Sequence, residues 1–321
     1  MNIITKLLGL IIVAALVVIL LIPTVTESND DKILNVLVID GQSNAEYGDS
    51  YVCNAVDLNA EYMDVPDHNL YYLGTDTTPG NLWQWQTTYN MSWAGYHLEP
   101  MYNYSTSQWI IGGYEPILGN SIASRSGNDT LIVNMGVGAR TIAQLLPDGD
   151  SGAYSWGVLD RAVALAEYAG YTINMIGVVW IQGEADKDTA VDSYVQSFTT
   201  LESAFSDRGL NRIYIVHTRD TYGGNANTAQ EQIAASNPDV EIATYITDTF
   251  TQDNGMLASN ADIHYSQKGR TTIAEAIETK ITVPEVKSSN DHIEQIEMIL
   301  PLIVLAGIVL SVIRLAIDRR D

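Results

Sequence analysis

Three short stretches, far apart in the chain, hold side chains that could do chemistry together. The first is Asp40-Gly41-Gln42-Ser43-Asn44. The second is Trp180-Ile181-Gln182-Gly183-Glu184-Ala185-Asp186. The third is Ala261-Asp262-Ile263-His264-Tyr265. Between them they offer a hydroxyl, amides, carboxylates and an imidazole. A serine hydroxyl is a weak nucleophile until a base takes its proton, and a neutral imidazole is the usual base. A carboxylate can hold the second ring nitrogen, and preset N–H donors can hold the oxyanion that forms. That set suits acyl transfer. Taken singly, each residue has a plainer reading. Ser43 is an ordinary turn serine beside Gly and Asn, and His264 is a loop or helix-start histidine.

The elements around these stretches say whether they can meet. Val- and Ile-rich runs at 33–39, 131–134, 175–181, 213–217 and 240–246 read as strands. Helical patterns fall at 156–168, 189–205, 228–236 and 268–280. In the second of these, Val191, Tyr194, Val195, Phe198, Leu201 and Phe205 share one face. Strands alternating with helices predict an α/β domain with a parallel sheet covered on both faces. Reactive groups in such sheets gather at the carboxyl ends of strands. Ser43 follows the first strand, Gln182 and Glu184 follow the third, and His264 precedes the last helix. Gly41, before the serine, reads as a backbone device for a tight turn.

Residues 47–114 break the alternation. They hold ten Tyr and four Trp among Gly, Asn, Pro and Thr. A long aromatic-rich insertion of this kind is expected to be functional or a small satellite core. Trp83, Trp85, Trp93 and Trp109 are candidate sugar-stacking platforms.

Both ends are apolar. Leu7–Ile22 follows Lys6, so residues 1–26 predict a membrane anchor or a cleaved secretory signal. Ile299–Ile317 is followed by Asp-Arg-Arg-Asp, so 298–321 predict a second membrane helix with a basic cytoplasmic tail. A polar stalk at 286–297 joins it to the domain at 27–285, which is expected outside the cytoplasm. Sequons at Asn90, Asn103 and Asn128 fall in that domain. The net charge of −23 argues against nucleic acid, whose phosphates need Lys and Arg. It also gives no help in capturing an anionic sugar. Cys53 is the single cysteine, so no intrachain disulfide and no thiolate zinc cluster is expected.

The order of the blocks adds a resemblance. GQSN after the first strand, W-x-QGE-x-D after the third and D-I-H before the last helix resemble the signature blocks of the SGNH or GDSL hydrolases, in the sialate O-acetylesterase-like (carbohydrate esterase family 6-like) branch. The resemblance covers about 33–281. It implies a three-layer α/β/α sandwich on a five-stranded parallel, flavodoxin-like sheet. It implies Ser43 as nucleophile, His264 as base and Asp262 as the acid of the triad. Glu184 is the rival acid, or a brace for the nucleophile loop through Gln42 or Asn44. Many enzymes of this kind carry the acid three residues before the histidine, where this chain has Ala261. The implied oxyanion donors are the Ser43 N–H, a backbone N–H at Gly138 or Ala139, and the Gln182 amide. No metal or organic cofactor is implied. The implied substrate is an acetylated carbohydrate, sialate or xylan-like. The alternative is an inactive scaffold that binds glycans at a cell or virion surface.

Overall fold

The computed structural model describes residues 32–46, 70–74, 99–100, 102–103, 108–109, 113–258 and 261–285. The two apolar ends and the stalk lie outside them. So do Cys53, Trp83, Trp85, Trp93 and most of the insertion. Among the described residues no helix is long and apolar enough to cross a membrane.

In chain order the main elements are β1 (Lys32–Gly41), β2 (Leu70–Gly74), β3 (Glu99–Pro100), β4 (Tyr102–Asn103), β5 (Gln108–Trp109), α1 (Glu115–Ser126), β6 (Asp129–Asn134), α2 (Ile142–Leu145), α3 (Gly152–Tyr168), β7 (Tyr171–Ile181), α4 (Val191–Ser206), β8 (Ile213–Val216), α5 (Asp220–Ser236), β9 (Val240–Thr244), β10 (Leu257–Ala258), β11 (Ala261–Tyr265) and α6 (Gln267–Ile277). The main sheet runs β3-β2-β6-β1-β7-β8-β9. The five strands expected from the sequence lie side by side and parallel in it, as β6-β1-β7-β8-β9. The sheet is wider than that expectation. The insertion adds β2, parallel to β6, and β3, antiparallel to β2. A buried parallel edge offers a ready row of N–H and C=O groups, and the insertion takes it up at the β6 side.

The strands are apolar on both faces because helices cover both. On β1, Leu34, Val36 and Val38 point into one core, while Leu37 and Ile39 point into the other. The first core takes the buried faces of α3 and α4, including Trp156, Tyr194, Phe198, Leu201 and Phe205. The second takes α1 and α6, through Ile117, Leu118, Ile122, Ile273, Ala274 and Ile277. The result is the expected three layers. All the candidate blocks end up beyond the carboxyl ends of β1, β6 and β7, or on β11 just before α6.

Candidate active site

The serine turn is set by Gly41. Its φ is 143°, and a Cβ there would stand 2.0 Å from the Ile181 carbonyl oxygen on β7. Only glycine lets the ends of β1 and β7 close to this spacing. The Gln42 N–H then donates to Ile181 O at 3.1 Å, and the N–H groups of Ala45 and Glu46 both return to Gln42 O. This tight turn leaves Ser43 half-buried at the rim while its neighbours Gln42 and Asn44 are buried.

His264 meets it there. Its Nε2 lies 3.0 Å from Ser43 Oγ, across 221 residues of sequence. Asn44 explains how such remote segments are held in register. Its Oδ1 accepts from the Tyr265 N–H at 2.9 Å, and its Nδ2 donates to Ile263 O at 3.0 Å. The residue after the nucleophile thus grips the backbone on both sides of the histidine. Asn44 Nδ2 also donates to Glu184 Oε1 at 2.7 Å, and Gln42 Oε1 accepts from the Ala185 N–H. The stretch after β7 therefore braces the serine turn through Asn44 and Gln42, as considered from the sequence for Glu184.

Two further residues hold this turn and were not singled out in the sequence. Arg270 donates to Glu46 O at 3.0 Å and Ser43 O at 3.3 Å. Tyr114 donates to Asn44 O at 2.8 Å and lies under the Arg270 guanidinium. A signal for Arg270 existed. It sits at helical spacing with Ile273, Ala274 and Ile277, all buried, so it is an arginine on the core face of α6. After β11, the Ser266 side chain accepts from the Gly269 N–H at 3.1 Å and caps that helix.

The turn after β6, residues 135–139, lies against the serine. Met135 N–H donates to Ile39 O and Val137 N–H to Gly41 O. A Cβ on Gly138 would be 3.7 Å from Ser43 Cβ, an ordinary contact, and 2.5 Å from Glu46 Oε2, the movable end of a long side chain. Ala139, with φ 57°, is exposed. Among the described residues no acceptor takes the N–H of Ser43, Gly138 or Ala139.

Gln182 departs from the expected donor role. It is fully buried, and its Nε2 donates to Arg140 O at 3.2 Å and to Asp186 Oδ2. Its Oε1 accepts from the Tyr194 hydroxyl at 2.9 Å. Both amide hydrogens are committed to protein acceptors, so Gln182 is a scaffold residue in this arrangement. Asp186 shares that work, accepting from the Ile142 N–H at 2.7 Å and the Thr189 hydroxyl at 2.9 Å.

The two candidate acids sit in opposite settings. Asp262 is exposed, on the same face of β11 as His264 by the two-residue period of a strand. Its carboxylate bonds the Tyr222 hydroxyl and holds that phenol above its usual pKa, and its carbonyl accepts from Arg219 Nη1 at 2.6 Å. Glu184 is buried, and burial raises its pKa against its own backbone N–H and Asn44. Its Oε2 has no partner among the described residues. Behind the serine, burial also pushes Asp40 up to about 7, opposed by the Gly41 N–H. Of the other histidines, His68, His97 and His292 lie outside the described residues, and His217 directly follows β8.

The arrangement can be compared with known proteins. No curated protein matches the chain. Among solved structures, NanS is similar over 78% of this chain and 97% of its own, with 16% identity and a TM-score of 0.51. A protein from Arabidopsis thaliana is similar over 77% of this chain and 97% of its own, with 12% identity and a TM-score of 0.50. Those likenesses bear on the fold. The activity class comes from the sequence: residues 33–282 match the family described as carbohydrate esterase, sialic acid-specific acetylesterase. The chain belongs to that family and is a carboxylic ester hydrolase.

Proposed function

We propose that this protein removes O-acetyl groups from carbohydrate through Ser43, His264 and Asp262. The observation that carries the reading is the 3.0 Å approach of His264 Nε2 to Ser43 Oγ. In the proposed cycle Ser43 Oγ attacks the acetyl carbonyl carbon as His264 takes its proton. The N–H groups of Ser43 and of the 138–139 turn receive the oxyanion. The bond between the acyl carbon and the sugar oxygen breaks, and the imidazolium gives its proton to that oxygen. Water, deprotonated by His264, then attacks the acetyl-serine, the bond from the acyl carbon to Ser43 Oγ breaks, and the imidazolium returns the proton to Oγ as acetate leaves. Asp262 stabilises the imidazolium, while Glu184 braces the serine turn through Asn44. The acetylated carbohydrate class is supported by the family. The choice between sialate and a neutral xylan-like glycan is left to the assay.

The test is release of acetate from p-nitrophenyl acetate, acetylated sialic acid and acetylated xylo-oligosaccharide. Ser43→Ala is expected to lower kcat about 10⁴-fold or more. Activity that survives this change overturns the nucleophile. Glycan binding without acetate release by the parent would instead favour the inactive-scaffold reading. The apolar runs at 7–22 and 299–317 support placing the domain outside a membrane, with both ends inside or with the first segment cleaved.

A further inference from the structure

His217 follows β8, at the same rim as the serine but two strands away from β1. Its backbone is pinned: its N–H donates to Thr244 O at 3.0 Å, and its carbonyl accepts from the Thr247 hydroxyl. Its ring packs on Tyr245, with 4.6 Å between centroids, and the side chain is only 3% exposed. Yet neither ring nitrogen has a hydrogen-bond partner among the described residues. The nearest carboxylate to Nε2 is Glu231, at 3.6 Å. A buried polar atom left unpaired costs about 1–3 kcal/mol, so a protein that keeps one needs a reason.

Two exposed carboxylates supply that reason. One nitrogen of His217, one oxygen of Asp220 and one oxygen of Asp248 all lie within 4.8 Å of one another. Asp220 is three residues on, at the start of α5. Asp248 comes from the turn after β9, and its Oδ1 accepts from the Asp220 N–H at 2.9 Å. The buried imidazole thus faces a small acidic notch on a chain of net charge −23, a setting that attracts cations. Burial lowers the His217 pKa against the pull of Asp248, Glu231 and Asp220.

We propose that His217, Asp220 and Asp248 bind a divalent cation of the zinc or manganese type. One imidazole with carboxylate oxygens suits these ions better than calcium or magnesium, which take oxygen ligands almost throughout. Ligand atoms at about 2.1 Å around a tetrahedral ion stand about 3.4 Å apart, so modest rotation of the two exposed Asp side chains closes the site. Glu231 is placed to orient the ring from outside, as carboxylates do for metal-bound histidines. The ion joins the β8–α5 turn to the turn after β9. Arg219 in the first of these turns and Tyr222 in the first turn of α5 both contact Asp262. Its role is to fasten this part of the rim, remote from the bond-breaking atoms.

The test uses the full chain, stripped with a chelator and titrated with ZnCl2 and with MnCl2. Uptake of one equivalent and a rise in Tm of roughly 5 °C are expected. In the double variant Asp220→Asn, Asp248→Asn the affinity is expected to fall at least about tenfold. Both side chains are exposed, and far-UV circular dichroism checks that the variant keeps its fold. Absence of saturable uptake by the parent overturns the proposal. So does uptake of equal affinity by the folded variant, which would place the ion elsewhere in the chain. Neither outcome bears on Ser43, whose test is acetate release.

Discussion

Asn44 and Gln182 are both buried amides, placed at the ends of the neighbouring strands β1 and β7. Asn44 spends its hydrogen bonds on segments remote in sequence: Ile263, Tyr265 and Glu184. Gln182 spends its side chain on Arg140, Asp186 and Tyr194, and its carbonyl accepts from Thr218 and Gln230. The β7 end is therefore a closed polar network inside the scaffold. The β11 end is a five-residue strand paired with two-residue β10, carrying an exposed Asp262. Ser43 stands on the well-braced side and His264, its proposed base, on the lightly held one, and Asn44 is the link. Chemistry at this rim depends on alignment between a rigid part and a softer part, so the consequences of substitution should differ between them.

The largest difference concerns the acids. Asp262→Asn is expected to lower kcat by roughly 10³–10⁴-fold, since in the proposed cycle it removes the charge that stabilises the imidazolium. Glu184→Gln should cost about tenfold or less, because Gln keeps an oxygen for Asn44. Acetate release by the two variants decides the matter. The reverse order moves the acid to Glu184, whose buried Oε2 would then be the atom that serves the ring.

Next comes the pair of amides. Asn44→Ala removes the grip on Ile263 and Tyr265, and a displacement of His264 of order 1 Å is enough to lose about 10²-fold in kcat. Gln182→Ala should act mainly on stability, by roughly 2–4 kcal/mol, because it leaves the Asp186 carboxylate and the Tyr194 hydroxyl short of partners. Well below its melting temperature its kcat should stay within about tenfold of the parent. A loss of about 10²–10³ in kcat with unchanged melting would instead make the Gln182 amide an oxyanion donor.

These contrasts also mark what the sequence could reveal. The five expected strands were legible because strands buried on both faces read as runs rich in Val, Ile and Leu, as in 33–39 and 175–181. Strand β2 was not, since Leu70-Tyr71-Tyr72-Leu73-Gly74 lies among aromatic and turn residues and joins the five expected strands through β6. Helix α1 was missed because Gly119, Asn120 and Ser121 interrupt its apolar face, although Pro116 near its start and Gly127 at its end, with φ 71°, are ordinary boundary signals. The meeting of Ser43 and His264 followed from block order. The bonding of Gln182 did not, because an amide's partners are fixed by tertiary packing. For the same reason the i, i+3 spacing of His217 and Asp220 was visible, while Asp248 enters only when β9 lies beside β8.

The smallest expected effect tests the rigid side through pH. Asp40 is fully buried at the end of β1, where Oδ1 accepts from the Gly41 N–H at 2.7 Å and Oδ2 has no partner among the described residues. Its pKa is pushed up to about 7 by burial, from the usual 3.8. The folded protein thus holds a proton that the unfolded chain releases between those values. Its contribution to stability is full below the unfolded pKa and is lost as pH rises through about 7, by an amount of order 2–4 kcal/mol. Glu115, also pushed up to about 7 by burial, adds in the same sense. Urea denaturation at pH 5 and pH 8.5 should show the parent less stable at the higher pH. Asp40→Asn cannot ionise, so its loss over the same range should be smaller. An equal loss in the variant would mean that Asp40 titrates alike in both states, and that the ground beneath the serine turn is wetter than its burial implies.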